Sequence, residues 1–202
     1  SSTHATAESL GGLIGLITPT NVTISNSHAT GNISSAAGDY LGGLIGKSNS
    51  TGLTISKCYA TGNVSGEQYN AGLVGFANGI TVTDSYATGN VTVSAVNADV
   101  AGLVVEDWGA VAMNFTRVYY AGTMTTNGTG NRYPMLFANG GGALTVTTSY
   151  FDTTLNPTAI AQGTARTTIE LKDTTSRATI YTGFDFSTVW TENTTTNLPT
   201  LQ

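Results

Sequence analysis

The chain is poor in the residues that usually reveal a chemistry. Its one cysteine, Cys58, cannot form an internal disulfide, and one cysteine with two histidines cannot supply four Cys or His ligands at metal-binding spacing. Lys and Arg together number seven in a chain of net charge −5, and they are not clustered. Nucleic acids and anionic membranes both need a dense cationic face, so neither is an expected partner. Charged residues of both signs reach only 9%, against roughly 25% in an ordinary soluble protein. The longest apolar run, Leu10 to Ile17, is broken by glycines and falls far short of the roughly 20 residues needed to span a membrane. The sequence opens at Ser1 with neither a methionine nor a basic-plus-apolar leader, the form expected of an exported protein after processing.

What the chain does have is a repeat. AGLVGFANGITVTDSYATGNV (Ala71 to Val91) is preceded by GGLIGLITPTNVTISNSHATGNI (Gly11 to Ile33) and GGLIGKSNSTGLTISKCYATGNV (Gly42 to Val64). Two more divergent copies follow, Ala101 to Met124 and Met135 to Leu155. Aligned on one position, His28, Tyr59, Tyr86, Tyr119 and Tyr150 fall into register with spacings of 31, 27, 33 and 31 residues, the near-constant period of a repeat array. Helical periodicity is absent from the array. Each copy reads as three short strands: the G-L-x-G run, a Thr-rich run, and the stretch after A-T-G-N.

The Thr-rich run alternates apolar and polar residues in every copy: Val22 and Ile24, Leu53 and Ile55, Ile80 and Val82, Met113 and Phe115, Leu144 and Val146. Such alternation means one buried face. Continued, it would bury Asn26, Lys57, Asp84, Arg117 and Thr148, at a cost that the chain avoids by turning a corner there. Beyond the corner, Ser27, Cys58, Ser85, Val118 and Ser149 then point inward, followed by Ala29, Ala60, Ala87, Tyr120 and Phe151. Cys58 is thus a small core residue rather than a reactive thiol. The column His28, Tyr59, Tyr86, Tyr119, Tyr150 points outward. Gly31, Gly62, Gly89 and Gly122 mark the next bend, where positive φ is cheap for glycine. Ile33, Val64, Val91, Met124 and Leu155 return to the core.

Stacking such coils about 4.8 Å apart places like residues over like. The expected fold is all-β, a right-handed parallel β-helix (β-solenoid) of about five coils with an aromatic-rich C-terminal cap. Residues 1–9 form an N-terminal extension, 10–163 the repeats (10–40, 41–70, 71–100, 101–134, 135–163), and 164–202 the cap. The extension carries nothing that would protect the first coil. In the cap, T-T-I-E at Thr167 to Glu170 has the form of a capping box. Tyr181, Phe184, Phe186 and Trp190 supply an apolar plug over the last coil.

The runs G-L-I-G (Gly12 to Gly15, Gly43 to Gly46), G-L-V-G (Gly72 to Gly75) and S-Y-A-T-G-N (Ser85 to Asn90) resemble the GLUG motif of bacterial and archaeal surface proteins, adhesin-like proteins among them. SYFDTT (Ser149 to Thr154), TTIELKD, GFDFSTVW and LPTL are similar to the C-terminal module that closes such arrays. The resemblance covers roughly residues 10–202. It implies a secreted or cell-surface spacer or fibre and names no activity. Val105, where the motif has glycine, and Met135 to Ala138 depart from the pattern, so the fourth and fifth coils are where distortion is expected.

Few groupings suit chemistry. Asp39, Asp99 and Glu67 are the carboxylates that a polysaccharide-cleaving site would need, yet the two aspartates lie two coils apart, about 10 Å, without a basic helper. Glu106 and Asp107 lie beside Trp108, in an exposed turn or, alternatively, at an aromatic sugar platform. His28 and His4 are too few and too far apart for metal or general-base work. The outward aromatic column is either a ladder reinforcement or an adhesive stripe. The outward hydroxyls at 23, 25, 54, 56, 81, 83, 145 and 147 form a flat array of the kind that meets ice or glycan, although threonine is also simply a good strand residue. Candidate N-glycosylation sites are Asn21, Asn32, Asn49, Asn63, Asn90, Asn114, Asn127 and Asn193. No catalytic, metal or cofactor set is expected. The function read from the sequence is an extracellular structural protein of a cell-surface fibre. Its partners would be further copies stacked head to tail or an upstream domain. An adhesin for glycans is the alternative, with ice binding and polysaccharide cleavage more remote.

Overall fold

The computed structural model describes residues 2–3, 9–36, 40–106, 111–138 and 142–202. The Thr-rich runs form the widest wall of a parallel β-solenoid. Thr23–Ser25, Leu53–Ser56, Ile80–Ala87, Met113–Tyr120 and Leu144–Thr147 stack in parallel, placing Ile24, Ile55, Val82, Phe115 and Val146 over one another. Leu53, Ile80 and Met113 make a second buried column beside them. Three further walls hold five parallel strands each, and the chain completes about four turns. Each coil thus buries its apolar face only because the coils above and below supply the other side.

The corner lies where the alternation requires it. Asn26, Lys57, Asp84, Arg117 and Thr148 all adopt left-handed backbone, with φ between 44° and 52°. A left-handed residue takes the strand around a bend and swaps the faces of the residues after it, so Cys58, Ser85, Val118 and Ser149 are buried. At the bend the small residue after the left-handed one bonds back to the carbonyl two residues before it, in addition to the bonds that the Ser56 and Thr83 carbonyls accept from Asn26 and Lys57 N–H in the coil before. Ser27, Ser85 and Ser149 donate to Ser25, Thr83 and Thr147 carbonyls at 2.7–2.8 Å, and Cys58 Sγ does the same to Ser56 at 3.3 Å. Burial pushes the Cys58 thiol pKa up, which keeps it protonated and unreactive.

Two expectations about the glycines need correcting. The G-L-x-G run is not one strand: a bend splits it, with Tyr40–Gly42 on one wall and Ile45–Ser48 on the next. The bend requires glycine, because a Cβ on Gly42 would run into the Ile45 carbonyl. Gly31, Gly62, Gly89 and Gly122 are not at positive φ. Their role is close approach: a Cβ on Gly62, Gly89 or Gly122 would meet the carbonyl of Gly31, Gly62 or Gly89 in the coil before. The distortion expected at Val105 is local: the register with Val74–Ala77 slips between Val104 and Glu106, while Val105 itself is buried in an outer cluster with Ala71 and Ala101 against Tyr69 and Phe137.

The two ends differ. At the C-terminal end, segment 153–167 crosses the last coil and meets its edge with side-chain amides. Asn156 Oδ1 accepts from Met124 N–H while its Nδ2 donates to Gly122 O. Gln162 accepts from Met135 and Leu136 N–H and donates to Leu136 O. Ile160 N–H donates to Arg132 O, and Thr164–Arg166 pairs with Tyr150–Asp152, so the wall runs past the boundary expected at 163. Leu155 does not return to the core; it is 39% exposed, and buried Asn156 takes that place. At the N-terminal end, Ser2–Thr3 pairs with Ile33–Ser34, but among the described residues nothing pairs with the outer edges of Ser9–Gly11, Ile14–Ile17, Thr23–Ser25 and His28–Ala29. Leu13 is 48% exposed, whereas Leu44, Leu73 and Leu103, its counterparts in later coils, are sealed. Among the described residues no helix is long and apolar enough to cross a membrane.

Candidate functional site

Parallel in-register strands place the column rings one strand spacing apart, close enough to stack. His28 lies 4.7 Å from Tyr59, Tyr59 lies 5.0 Å from Tyr86, and Tyr86 lies 4.9 Å from Tyr119, with planes within 4°. Tyr150 continues the register below Tyr119. The column points away from the coil core as expected, but it is not an exposed stripe: Tyr86, Tyr119 and Tyr150 are buried, and only His28 and Tyr59 reach solvent.

The cover is the C-terminal segment, which lies along the side of the solenoid rather than plugging its last coil. Leu171, Ile180, Tyr181, Phe184, Trp190 and Leu198 form one cluster with the three tyrosines, with Phe186 at its margin. Trp190 packs 6.0 Å from both Tyr86 and Tyr119, and Tyr181 edges onto Tyr119 and Tyr150. A continuous strip of stacked rings is a large apolar surface, and the segment's own aromatics remove it from water. The phenol oxygens are satisfied within the cover: Tyr86 with Thr200 Oγ1, Tyr119 to Pro199 O and Tyr150 to Thr182 O. Burial pushes the Tyr86 pKa up to about 12, against the opposing Thr200 hydrogen bond, and holds Tyr119, Tyr120 and Tyr181 well above the usual phenol range.

Two helical turns and a hairpin shape the cover. Thr168–Leu171 starts on the capping box expected from T-T-I-E, Glu170 N–H donating to Thr167 Oγ1 and Thr167 N–H to Glu170 Oε2. Arg177–Ile180 follows, and the Arg177 guanidinium ties Leu171 O to Asn197 O. Trp190–Glu192 then pairs antiparallel with Pro199–Leu201. The corner column anchors this hairpin: Asp84 accepts two bonds from Arg117 at 2.7 Å and one from Trp190 Nε1 at 3.3 Å. That hydrogen bonding raises the Arg117 pKa further.

Where the cover ends, a cleft begins. Asn26, His28, Lys57 and Tyr59 form one side, and Thr188, Val189, Leu201 and Gln202 the other, enclosing about 320 Å³. No signal in the repeat marks this cleft, because half of it comes from the non-repeating tail.

The remaining candidates are scattered. Asp39, Asp107, Trp108 and His4 lie outside the described residues. Asp99 accepts from Asn131 N–H at 2.6 Å, a backbone role, and lines a second cleft with Tyr69 and Phe137 that Glu67 does not reach. The hydroxyls at 23, 54, 81 and 145 and at 25, 56, 83 and 147 do align, each column completed by Asn114 or Thr116. Asn32, Asn63 and Asn90 share a repeat position because they form a ladder: each side-chain oxygen accepts from the backbone N–H of the next coil, at 2.9–3.0 Å. Asn127 uses its amide nitrogen on Ser94 O, and Asn193 caps a turn through Thr195 and Thr196. Asn21 and Asn49 are exposed and Asn114 is half-buried. Among the described residues no three His, Cys, Asp or Glu side chains gather at one point.

No family model, curated protein or solved structure matches the chain. The GLUG likeness therefore stands on the motifs alone.

Proposed function

We propose that this protein is a structural module of an extracellular cell-surface fibre, extended at its N-terminal edge by another β-coil. The observation that carries this reading is the difference between the ends. One end is finished by Asn156, Gln162 and Thr164–Arg166; the other, among the described residues, leaves strand edges unpaired and Leu13 and Leu16 about half exposed. An open edge of this kind is a template for a further strand. Of the two expected occupants, a coil continuous with this array fits better than the C-terminal end of a second copy. Asn156, Ile160, Gln162 and Thr164–Arg166 already bond along that end, where a second copy would have to compete with them.

The test of the role is immunogold electron microscopy of the producing cells together with negative-stain imaging of purified material. Label along surface fibres is expected, and label confined to the cell interior would overturn the reading. The edge is tested separately by placing a copy of residues 41–70 in register ahead of Leu10. The added coil should slow amide exchange in Ser9–Ile17 and raise the melting temperature; unchanged exchange would exclude the edge as a docking surface.

A glycan-binding adhesin is the second reading, favoured by the open end of the aromatic column beside the His28–Lys57 cleft.

A further inference from the structure

The covered half of the column is an internal template for what the open half binds. Against Tyr86 and Tyr119 lies the Trp190 ring, and two residues before Tyr86 the Asp84 carboxylate accepts the indole N–H. In the preceding coils Tyr59 and His28 replace the tyrosines, and Lys57 and Asn26 occupy the place of Asp84, with the same left-handed backbone. Among the described residues no ring of the C-terminal segment packs on them as Trp190 packs on Tyr86; the position is the cleft of about 320 Å³, closed on its far side by Thr188 and Gln202. The hydrogen-bonding sense is reversed. Asp84 accepts, whereas the Lys57 ammonium donates and carries a positive charge that no described carboxylate pairs. A ring seated here must therefore present an acceptor, best a negatively charged one.

The rest of the lining selects the kind of ring. Gln202 spends its Nε2 on Trp190 O and keeps Oε1 to accept. Thr188 donates its hydroxyl to Asp185 and keeps its lone pairs, and the Asn26 amide offers both senses. Alternating donors and acceptors beside the edges of the His28 and Tyr59 rings, whose facing surfaces are stacked on one another, suit a hydroxylated ring better than a flat aromatic acid. The cleft volume accommodates about one or two pyranoses.

We propose that this cleft binds a uronic acid residue of an acidic polysaccharide, its carboxylate on Lys57 and its ring against His28 and Tyr59. The site does not depend on the fibre reading and would serve an adhesin equally. A chain of net charge −5 gives such a ligand no long-range attraction, so the contacts must supply the affinity, and a dissociation constant of about 1–10 mM is expected.

The experiment is an NMR titration of the intact chain with methyl glucuronide, methyl glucoside and acetate. The first two differ only in carboxylate against hydroxymethyl, and the third carries the charge without the ring. Glucuronide should shift the amides of Lys57, Tyr59 and Gln202 saturably, and glucoside and acetate should each bind roughly tenfold more weakly. Lys57→Asn, a residue the same column already uses at Asn26, should weaken glucuronide about tenfold, while Lys172→Gln on the exposed surface should not. No shifts at about 50 mM glucuronide would overturn the proposal. So would acetate matching glucuronide, which would show a bare charge contact, or equal loss in Lys172→Gln, which would show nonspecific attraction.

Discussion

Tyr119 and His28 occupy the same position of the same repeat, stacked in one column, yet one is sealed from water and the other faces it. Nothing in the repeats distinguishes their directions. Both point out of the coil, because parity beyond the corner demands it. What separates them is the non-repeating tail, which runs over Tyr86, Tyr119 and Tyr150 and leaves Tyr59 only partly buried at its margin. A repeat thus fixes where a side chain points, while sequence outside the repeat decides what it meets there. The covered half is a core and the open half is a surface.

The largest consequence is alkaline unfolding. Tyr86, Tyr119, Tyr120 and Tyr181 hold their protons in the folded chain to higher pH than the ordinary phenol value near 10. Their neutral forms contribute fully below about pH 10, and that contribution is lost as pH rises from there through about 12, because the unfolded chain sheds protons the folded chain retains. Each such tyrosine costs about 1.4 kcal/mol per pH unit in that window, so four together remove roughly 5 kcal/mol per unit. Tyrosinate absorbance and circular dichroism should therefore change in one coincident step. Gradual ionisation from pH 10 with the fold intact would show that the cover is not sealed.

Truncating one ring in each half sharpens the contrast. Tyr119→Ala empties a site between Tyr86, Trp190 and Tyr181 and should cost about 3–5 kcal/mol in urea unfolding. His28→Ala, at the free end of the stack, should stay within about 0.5 kcal/mol. Similar costs would mean that stacking along the column, not the cover, carries the stability. Asn156→Ala is expected to cost about 2 kcal/mol, since it strands Met124 N–H and Gly122 C=O at a buried edge. Asp84→Asn should cost about 1–2 kcal/mol, less than a fully buried pair, because the Arg117 side chain remains 33% exposed and can be rehydrated.

The repeat made the solenoid legible. Alternation in the Thr-rich run gave the buried columns, and the unsuitability of Lys57, Asp84 and Arg117 for a core gave the corner at the residues that adopt left-handed backbone. What stayed hidden depends on contacts between distant segments. T-T-I-E predicts its own helical turn because the capping box is local, but no pattern in Tyr181 to Trp190 says that this cluster folds sideways onto Tyr86 and Tyr119. The Asn-Pro step at 156–157 signals a turn, not that the Asn156 amide replaces a strand. Glycine at Gly62 and Gly89 suggests positive φ, whereas the structure uses the missing Cβ for contact between coils. The His28–Lys57 cleft was illegible for the same reason as the cover: its two walls are far apart in sequence.

The smallest expected effect separates exposure from bonding. Asn63 does the same work as Asn156, its side-chain oxygen accepting a backbone N–H from the next coil at 2.9 Å, but it sits on the open face. Water can replace the amide at Asn90 N–H once the side chain is gone, and it cannot reach Met124 N–H. Asn63→Ala should therefore shift stability by about 0.5 kcal/mol or less, several-fold below Asn156→Ala, in thermal unfolding at neutral pH. If the two substitutions cost the same, the asparagine ladder is an independent source of cohesion between coils, and the open face shares in holding the solenoid together.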